Sequence, residues 1–184
     1  ALDKYFVNDG MVKYYGSQMV EKAYFLKFMG LGGKWLEAFK EKFTDLIMMV
    51  DEESSDTEFQ DKIYTLTHFI ITESMYYQKW VSAESSRWIL DYFVDNVEEI
   101  LQTNPDIVAE IGICFMLCRE YNVELLDKVK NYLVDSFDKK RGYIPRGKGK
   151  SLDRSEHTNI VAYMVLSGFE HLHKGPKLNN GLGD

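Results

Sequence analysis

The sequence predicts an all-α protein, an antiparallel array of helical hairpins with about seven helices. Three observations predict it. Apolar residues recur at helical spacing through seven segments, and glycine, Asn-Pro and acidic turns punctuate them. β-branched residues nowhere alternate with polar ones for long, so no strand is expected.

The first helix spans about 9–29, with Met11, Tyr14, Tyr15, Met19, Ala23, Leu26 and Phe28, and Gly30-Leu-Gly-Gly33 stops it. The second, about 34–50, places Trp35, Leu36, Phe39, Phe43, Leu46 and Ile47 on one face and lysines and acids on the other. Asp51 to Thr57 reads as an acidic turn, and Ser55 with Glu58 as a capping box for the third helix, about 58–79. That helix is apolar on most sides. The fourth, about 84–102, is amphipathic again, through Trp88, Ile89, Tyr92, Phe93, Val97, Ile100 and Leu101.

Asn104-Pro105 supplies an N-cap and a first-turn proline for the fifth helix, about 105–121, apolar nearly throughout. Asn122 caps the sixth, about 123–137, which is charged outside. A basic loop, 138–153, leads into the seventh, about 154–173, apolar through Ile160, Val161, Ala162, Met164, Val165, Leu166 and Phe169. Asp153 and Glu156 have the spacing of a second capping box.

At 184 residues, 45% of them hydrophobic and 28% charged, the chain fits a single globular domain over 1–174 with a flexible tail at 175–184. Aromatics make up 14%, so contacts between large rings are expected to dominate the interior. A net charge of −7 argues against general nucleic-acid binding. No apolar run approaches the roughly 18–20 residues that span a bilayer, so no membrane partner is expected. The chain does not begin with Met, which suggests a processed piece or a missing N-terminal portion. Cys114 and Cys118, four apart on one helix, are poorly placed for a disulfide; free buried thiols lean towards a reducing, cytoplasmic compartment.

The third, fifth and seventh helices begin roughly 45 residues apart, the period of a repeated helical hairpin. They are apolar nearly all round, whereas the second, fourth and sixth keep one polar face. Inner helices wrapped by outer ones produce that alternation. It resembles the α/α-toroid group, which includes glycoside hydrolases and lyases, terpenoid cyclases, prenyltransferase β-subunits and lanthionine cyclases. Tyr64-Thr-Leu-Thr-His-Phe-Ile-Ile-Thr72 is also similar to a segment of uncharacterised bacterial proteins of this hairpin type. The resemblance covers about 57–173, implies a partial α/α toroid and carries over no catalytic residue. Three and a half hairpins leave such a ring incomplete, to be completed by further sequence or another subunit.

Polar groups on the apolar helices are the candidate site, because an unpaired buried polar group costs about 1–3 kcal/mol. Asp106 and Glu110 lie one turn apart on the fifth helix; Glu156, His157 and Asn159 open the seventh; His68 and Thr72 share a face of the third. If the inner helices are parallel, these groups gather at one end. Glu110 with Glu156 then forms a carboxylate pair for acid–base catalysis, with His157 or His68 carrying the proton. The bland alternative spends Asp153 and Glu156 on capping, Asp106 on the helix dipole, and Thr67 and Thr72 on bonds to their own helix. A metal site from His68, His157, Glu110 and Cys114 lacks any compact ligand spacing, so no metal and no cofactor is expected.

The loop collects Lys139, Lys140, Arg141, Arg146, Lys148 and Lys150 in an acidic chain. Arg141, Tyr143, Arg146 and Lys148, with Asn159, are its candidate ligand-binding residues, for phosphate, carboxylate or an acidic saccharide. The spacing of a nucleotide-binding P-loop is absent. Otherwise the loop is a solvated surface feature with Tyr143-Ile-Pro145 packed on the helices. Two readings stand: an enzyme-like domain acting on an anionic sugar or small molecule at the inner-helix mouth, or a non-catalytic helical-repeat module that binds a partner or forms a homo-oligomer.

Overall fold

Residues 2–48 and 55–172 are described by the structure, a computed structural model. The fold is all-α. The helices are α1 (Leu2–Phe6), α2 (Asp9–Phe28), α3 (Lys34–Phe43), α4 (Asp56–Glu73), α5 (Arg87–Asp95), α6 (Val97–Ile100), α7 (Pro105–Leu117), α8 (Val123–Asp135) and α9 (Glu156–Ser167). Among the described residues no strand forms; Asp138 and Tyr143 make one isolated antiparallel bridge. The acidic turn at 51–54, the end of the second predicted helix at 49–50, and the predicted tail lie outside the described residues.

Local chemistry sets most helix starts. The Asn8 side chain caps α2, and Ser55 and Glu58 form the reciprocal capping box of α4. Asn104 accepts from the Asp106 and Ile107 amides ahead of Pro105, and Asn122 accepts from Leu125 N. The helix ends are shorter than the periodicity predicts. α4 stops at Glu73 because Ser74, fully buried, donates to Ile71 O and accepts from Tyr77 N. This turn holds Met75, Tyr76 and Tyr77 at φ of 55°, 52° and 70°, a left-handed run unusual for three consecutive non-glycine residues. The fourth predicted helix breaks at Asn96 into α5 and α6. The Asp153–Glu156 capping box does not form. Leu152–Arg154 is a 3₁₀ turn, and no side chain caps α9 at Ser155.

The order of neighbours is α2, α4, α7, α9, with α3 packed on α2, α5 on α7, and α8 on both α7 and α9. Cross-helix pairs show the direction of each. Lys13 meets Glu58 and Tyr24 meets Glu73; Asn104 meets Gln60 and Glu110 meets Thr67; Thr158 meets Asp106 and Val165 lies against Gly112. Residue numbers rise together across every seam, so the four helices run parallel. Glycine lets two of these seams close. A Cβ on Gly16 would collide with Thr65, and one on Gly112 would stand 3.0 Å from both γ-methyls of Val165. Phe39, Phe43, Phe69 and Trp88 meet ring to ring between α3, α4 and α5, as the aromatic content leads one to expect.

The inner–outer pattern needs one correction. α4 and α7 are buried as predicted, but α9 is not buried all round: Ile160 is 54% and Tyr163 73% exposed, and Leu166 is exposed with them. α9 ends the row, so among the described residues it has helices on one side only. The first predicted helix, left unassigned by periodicity, is an inner one, with Met19, Val20 and Ala23 fully buried. No described helix is long and apolar enough to cross a membrane.

Candidate functional site

Because α2, α4, α7 and α9 are parallel, side chains at matching heights form a row across them. Glu21 Oε1 stands 3.4 Å from His68 Nε2, and His68 Nδ1 stands 3.9 Å from Glu110 Oε2. Glu110 Oε1 is 4.0 Å from His157 Nε2, and His157 Nδ1 is 3.0 Å from Asp106 Oδ1. Acid and imidazole alternate from one helix to the next.

Asp106 is the anchor. Its oxygens accept from Tyr64 Oη at 2.8 Å, Thr158 Oγ1 at 2.6 Å and His157 Nδ1 at 3.0 Å, while Arg146 Nε lies 3.4 Å away. Burial alone pushes this carboxyl up, but the hydrogen bonds from His157, Thr158 and Tyr64 outweigh it and bring the pKa to about 2. The bond to Asp106 also raises His157, against the effect of burial, and requires Nδ1 to carry a proton. Nε2 is then the free nitrogen of the ring.

Glu110, one turn along the same helix, has the opposite environment. The residue is 2% exposed, Thr67 Oγ1 donates to Oε2 at 2.6 Å, and Oε1 accepts no hydrogen bond from the described residues. Burial raises its pKa, opposed in part by His68 and the Thr67 hydroxyl. One helix thus carries two carboxyls whose surroundings shift them in opposite directions. His68 Nδ1 lies 2.7 Å from Tyr64 O, a carbonyl that can only accept, so this nitrogen is protonated as well. The left-handed turn after α4 brings two phenols beside the row. Burial and then Glu21 push Tyr76 up to about 12, and burial and then Glu110 push Tyr77 higher still.

Of the predicted catalytic residues, Glu110, His157 and His68 come together and Glu156 does not. Glu156 is exposed at the start of α9, and the carboxylate beside Glu110 is Asp106. A helix turns 100° per residue, so with His157 aimed at α7 its neighbour Glu156 is carried off that face. The ligand-binding candidates also divide. Arg146 joins the cluster: Nη2 donates to Tyr64 Oη at 3.0 Å. Asn159 is occupied in holding the loop, since its amide accepts from Ile144 N at 2.9 Å and donates to Ile144 O at 2.8 Å. Arg141 and Tyr143 both bond to Lys150 O and close the loop on itself, and Lys148 lines a separate cleft with Pro105 and Arg141. Ile144, buried, is the packed part of the loop. His171, on the chain beyond α9, is exposed.

Tyr64, Thr158 and Glu21 were not singled out by sequence reasoning, and Asp106 was open to a bland helix-dipole role. A tyrosine or threonine on a mixed face carries no sequence signal of its own. Glu21 sits on a first helix whose inner position the periodicity did not reveal.

Oxygen or nitrogen atoms of Asp106, Glu110 and His157 lie within 4.8 Å of one another, a grouping that could hold a cation. Yet the Asp106 oxygens already accept three hydrogen bonds and face a guanidinium. Cys114, the thiol considered as a ligand or nucleophile, is fully buried 3.7 Å from Thr67 O, and burial raises its pKa well above the ordinary thiol range. Both cysteines are free and buried, as expected.

Outside the row lies a groove of about 640 Å³ lined by Arg146, Lys150, Asp153, Arg154, Glu156 and His157. Three permanent cations and an imidazole face two acids there, so its field favours an anion. The groove reaches the inner row at His157, whose side chain is 59% exposed.

The class defined by these features is an all-α protein with an acid–imidazole row across parallel helices and a basic groove at its mouth. Residues 1–182 match the family described as a domain of unknown function (DUF3541), and the chain belongs to that family. No curated protein and no solved structure matches it.

Proposed function

We propose that this chain is a domain of an acid–base enzyme, built as a partial α/α toroid, that takes an anionic sugar or small acid at the mouth of its inner helices. One observation carries the reading: Asp106 and Glu110, one turn apart, have environments that drive their pKa values in opposite directions, with His157 between them. Paired titratable groups pushed apart in this way are the usual basis of acid and base roles. Glu110 serves as the general acid. His157, oriented through Nδ1 by ionised Asp106, is a strengthened base at Nε2. Arg146, steadied by Tyr64, neutralises the substrate's charge. His68 supplies a second imidazole on the far side of Glu110.

Thermal-shift screening with anionic sugars and phosphates tests the reading on wild type and on His157→Gln, a substitution at a half-exposed position. Stabilisation of the wild type by at least one anion, diminished in the variant, is expected. Equal shifts in both proteins, or none in either, would remove the case for a site at this row.

A second reading, a helical-repeat module that binds a partner or a second copy, draws on the exposed apolar side of α9. Two free buried thiols support a reducing compartment for either reading.

A further inference from the structure

Two facing atoms of the row make no hydrogen bond among the described residues. Glu110 Oε1 accepts no hydrogen bond from the described residues although its residue is almost wholly buried, and His157 Nε2 is the ring nitrogen that Asp106 leaves unused. They are 4.0 Å apart, too far for a direct bond.

The gap selects what can fill it. A hydroxyl oxygen placed about 2.8 Å from each atom subtends about 90°, within reach of its donor and acceptor directions. A zinc-like ion about 2.1 Å from each would need an angle of about 145°, which is neither tetrahedral nor octahedral. The Arg146 guanidinium beside Asp106 also disfavours a second cation. The proton inventory matches a hydroxyl: with one proton on either Glu110 Oε1 or His157 Nε2, the pair offers it one donor and one acceptor.

Next to the gap stands a half-spent guanidinium. Arg146 uses Nη2 on Tyr64 and Nε towards Asp106 Oδ2, and Nη1 makes no hydrogen bond or ion pair among the described residues. His157 binds the other oxygen of the same carboxylate, so the imidazole and the guanidinium sit side by side on the wall of the basic groove.

We infer that the gap between Glu110 Oε1 and His157 Nε2 seats a substrate hydroxyl while Arg146 takes a carboxylate of the same molecule, so that the ligand class is the small hydroxycarboxylic acids, uronic acids among them. The inference rests on the acid–base reading above and narrows it. It assigns two jobs to two sets of residues, charge to Arg146 and the hydroxyl to the Glu110–His157 pair, and each is separable by experiment.

The test is calorimetric titration of the chain with D-glucuronate, with D-glucose, which lacks the carboxylate, and with cyclohexanecarboxylate, a ring of like size without hydroxyls. D-Glucuronate is expected to bind at least about tenfold tighter than either control, the worth of one good polar interaction in each case. Arg146→Ala should erase the preference over glucose. Glu110→Gln and His157→Gln should each erase the preference over cyclohexanecarboxylate, with circular-dichroism melting to show that both variants are folded. Equal binding of glucuronate and cyclohexanecarboxylate by the wild type would overturn the hydroxyl seat and leave the anion reading standing. No binding of any acid would overturn both. Stoichiometric zinc binding by the wild type, lost in Glu110→Gln and His157→Gln, would show the gap to be a metal seat and overturn the inference.

Discussion

Glu110 and His157 tie the fold to pH. Each has a folded pKa above its unfolded value, so each contributes stability that is complete below the unfolded pKa and lost as pH rises through the folded one. For Glu110 that loss begins above the ordinary carboxyl range, for His157 above about 6.5. Asp106 acts in the other direction: its stabilisation is present above the ordinary aspartate pKa and fades as pH falls towards about 2. Glutamine at position 110 has the same shape and no ionisation. The melting temperature of Glu110→Gln relative to wild type should therefore climb between about pH 5 and pH 8. A difference that stays level across that range would mean that Glu110 does not titrate with folding. At this scale the sequence was partly legible. Asp106, Glu110, His68 and His157 stand out as polar residues on apolar helices, but their partners Tyr64, Thr158 and Glu21 do not.

Helices meet in this protein where side chains are missing or small. The α7–α9 seam is closed at Gly112, between the γ-methyls of Val165 and Val129. A methyl there must displace branched side chains of two helices, and overpacking of this kind costs about 1–3 kcal/mol. Gly112→Ala should lower the urea midpoint with little change in slope. Because α9 carries His157 and Thr158, it should also weaken anion binding through the Asp106 cluster. An unchanged midpoint would show that α9 can shift outward freely. The elements were legible where caps announce them, at Ser55, Asn104 and Asn122. They are not legible where a helix ends without glycine or proline, as at buried Ser74 with its bonds to Ile71 and Tyr77, or where Asp153 and Glu156 have the spacing of a capping box but the chain forms a 3₁₀ turn.

The whole molecule is an open row in which α9 shows Ile160, Tyr163 and Leu166 to solvent near a wide, mainly apolar cleft of about 770 Å³. Contiguous apolar surface of this kind marks an interaction face more often than isolated exposed residues do. If the row is continued by a partner or a second copy, light scattering should report association that rises with concentration, and Tyr163→Lys should abolish it while shifting stability by no more than about 0.5 kcal/mol. Concentration-independent monomer mass for the wild type would leave self-association without support.

Apolar periodicity and cap chemistry by themselves determined that this chain is all-α, with α4 and α7 at its centre, because helix burial and helix starts are local properties of sequence. Tertiary structure alone decided that His68 and His157, but not Glu156, stand beside Glu110, and that Arg146 but not Arg141 or Lys148 reaches the site. Those outcomes depend on the parallel direction and relative height of helices far apart in the chain, and no local pattern of residues encodes either.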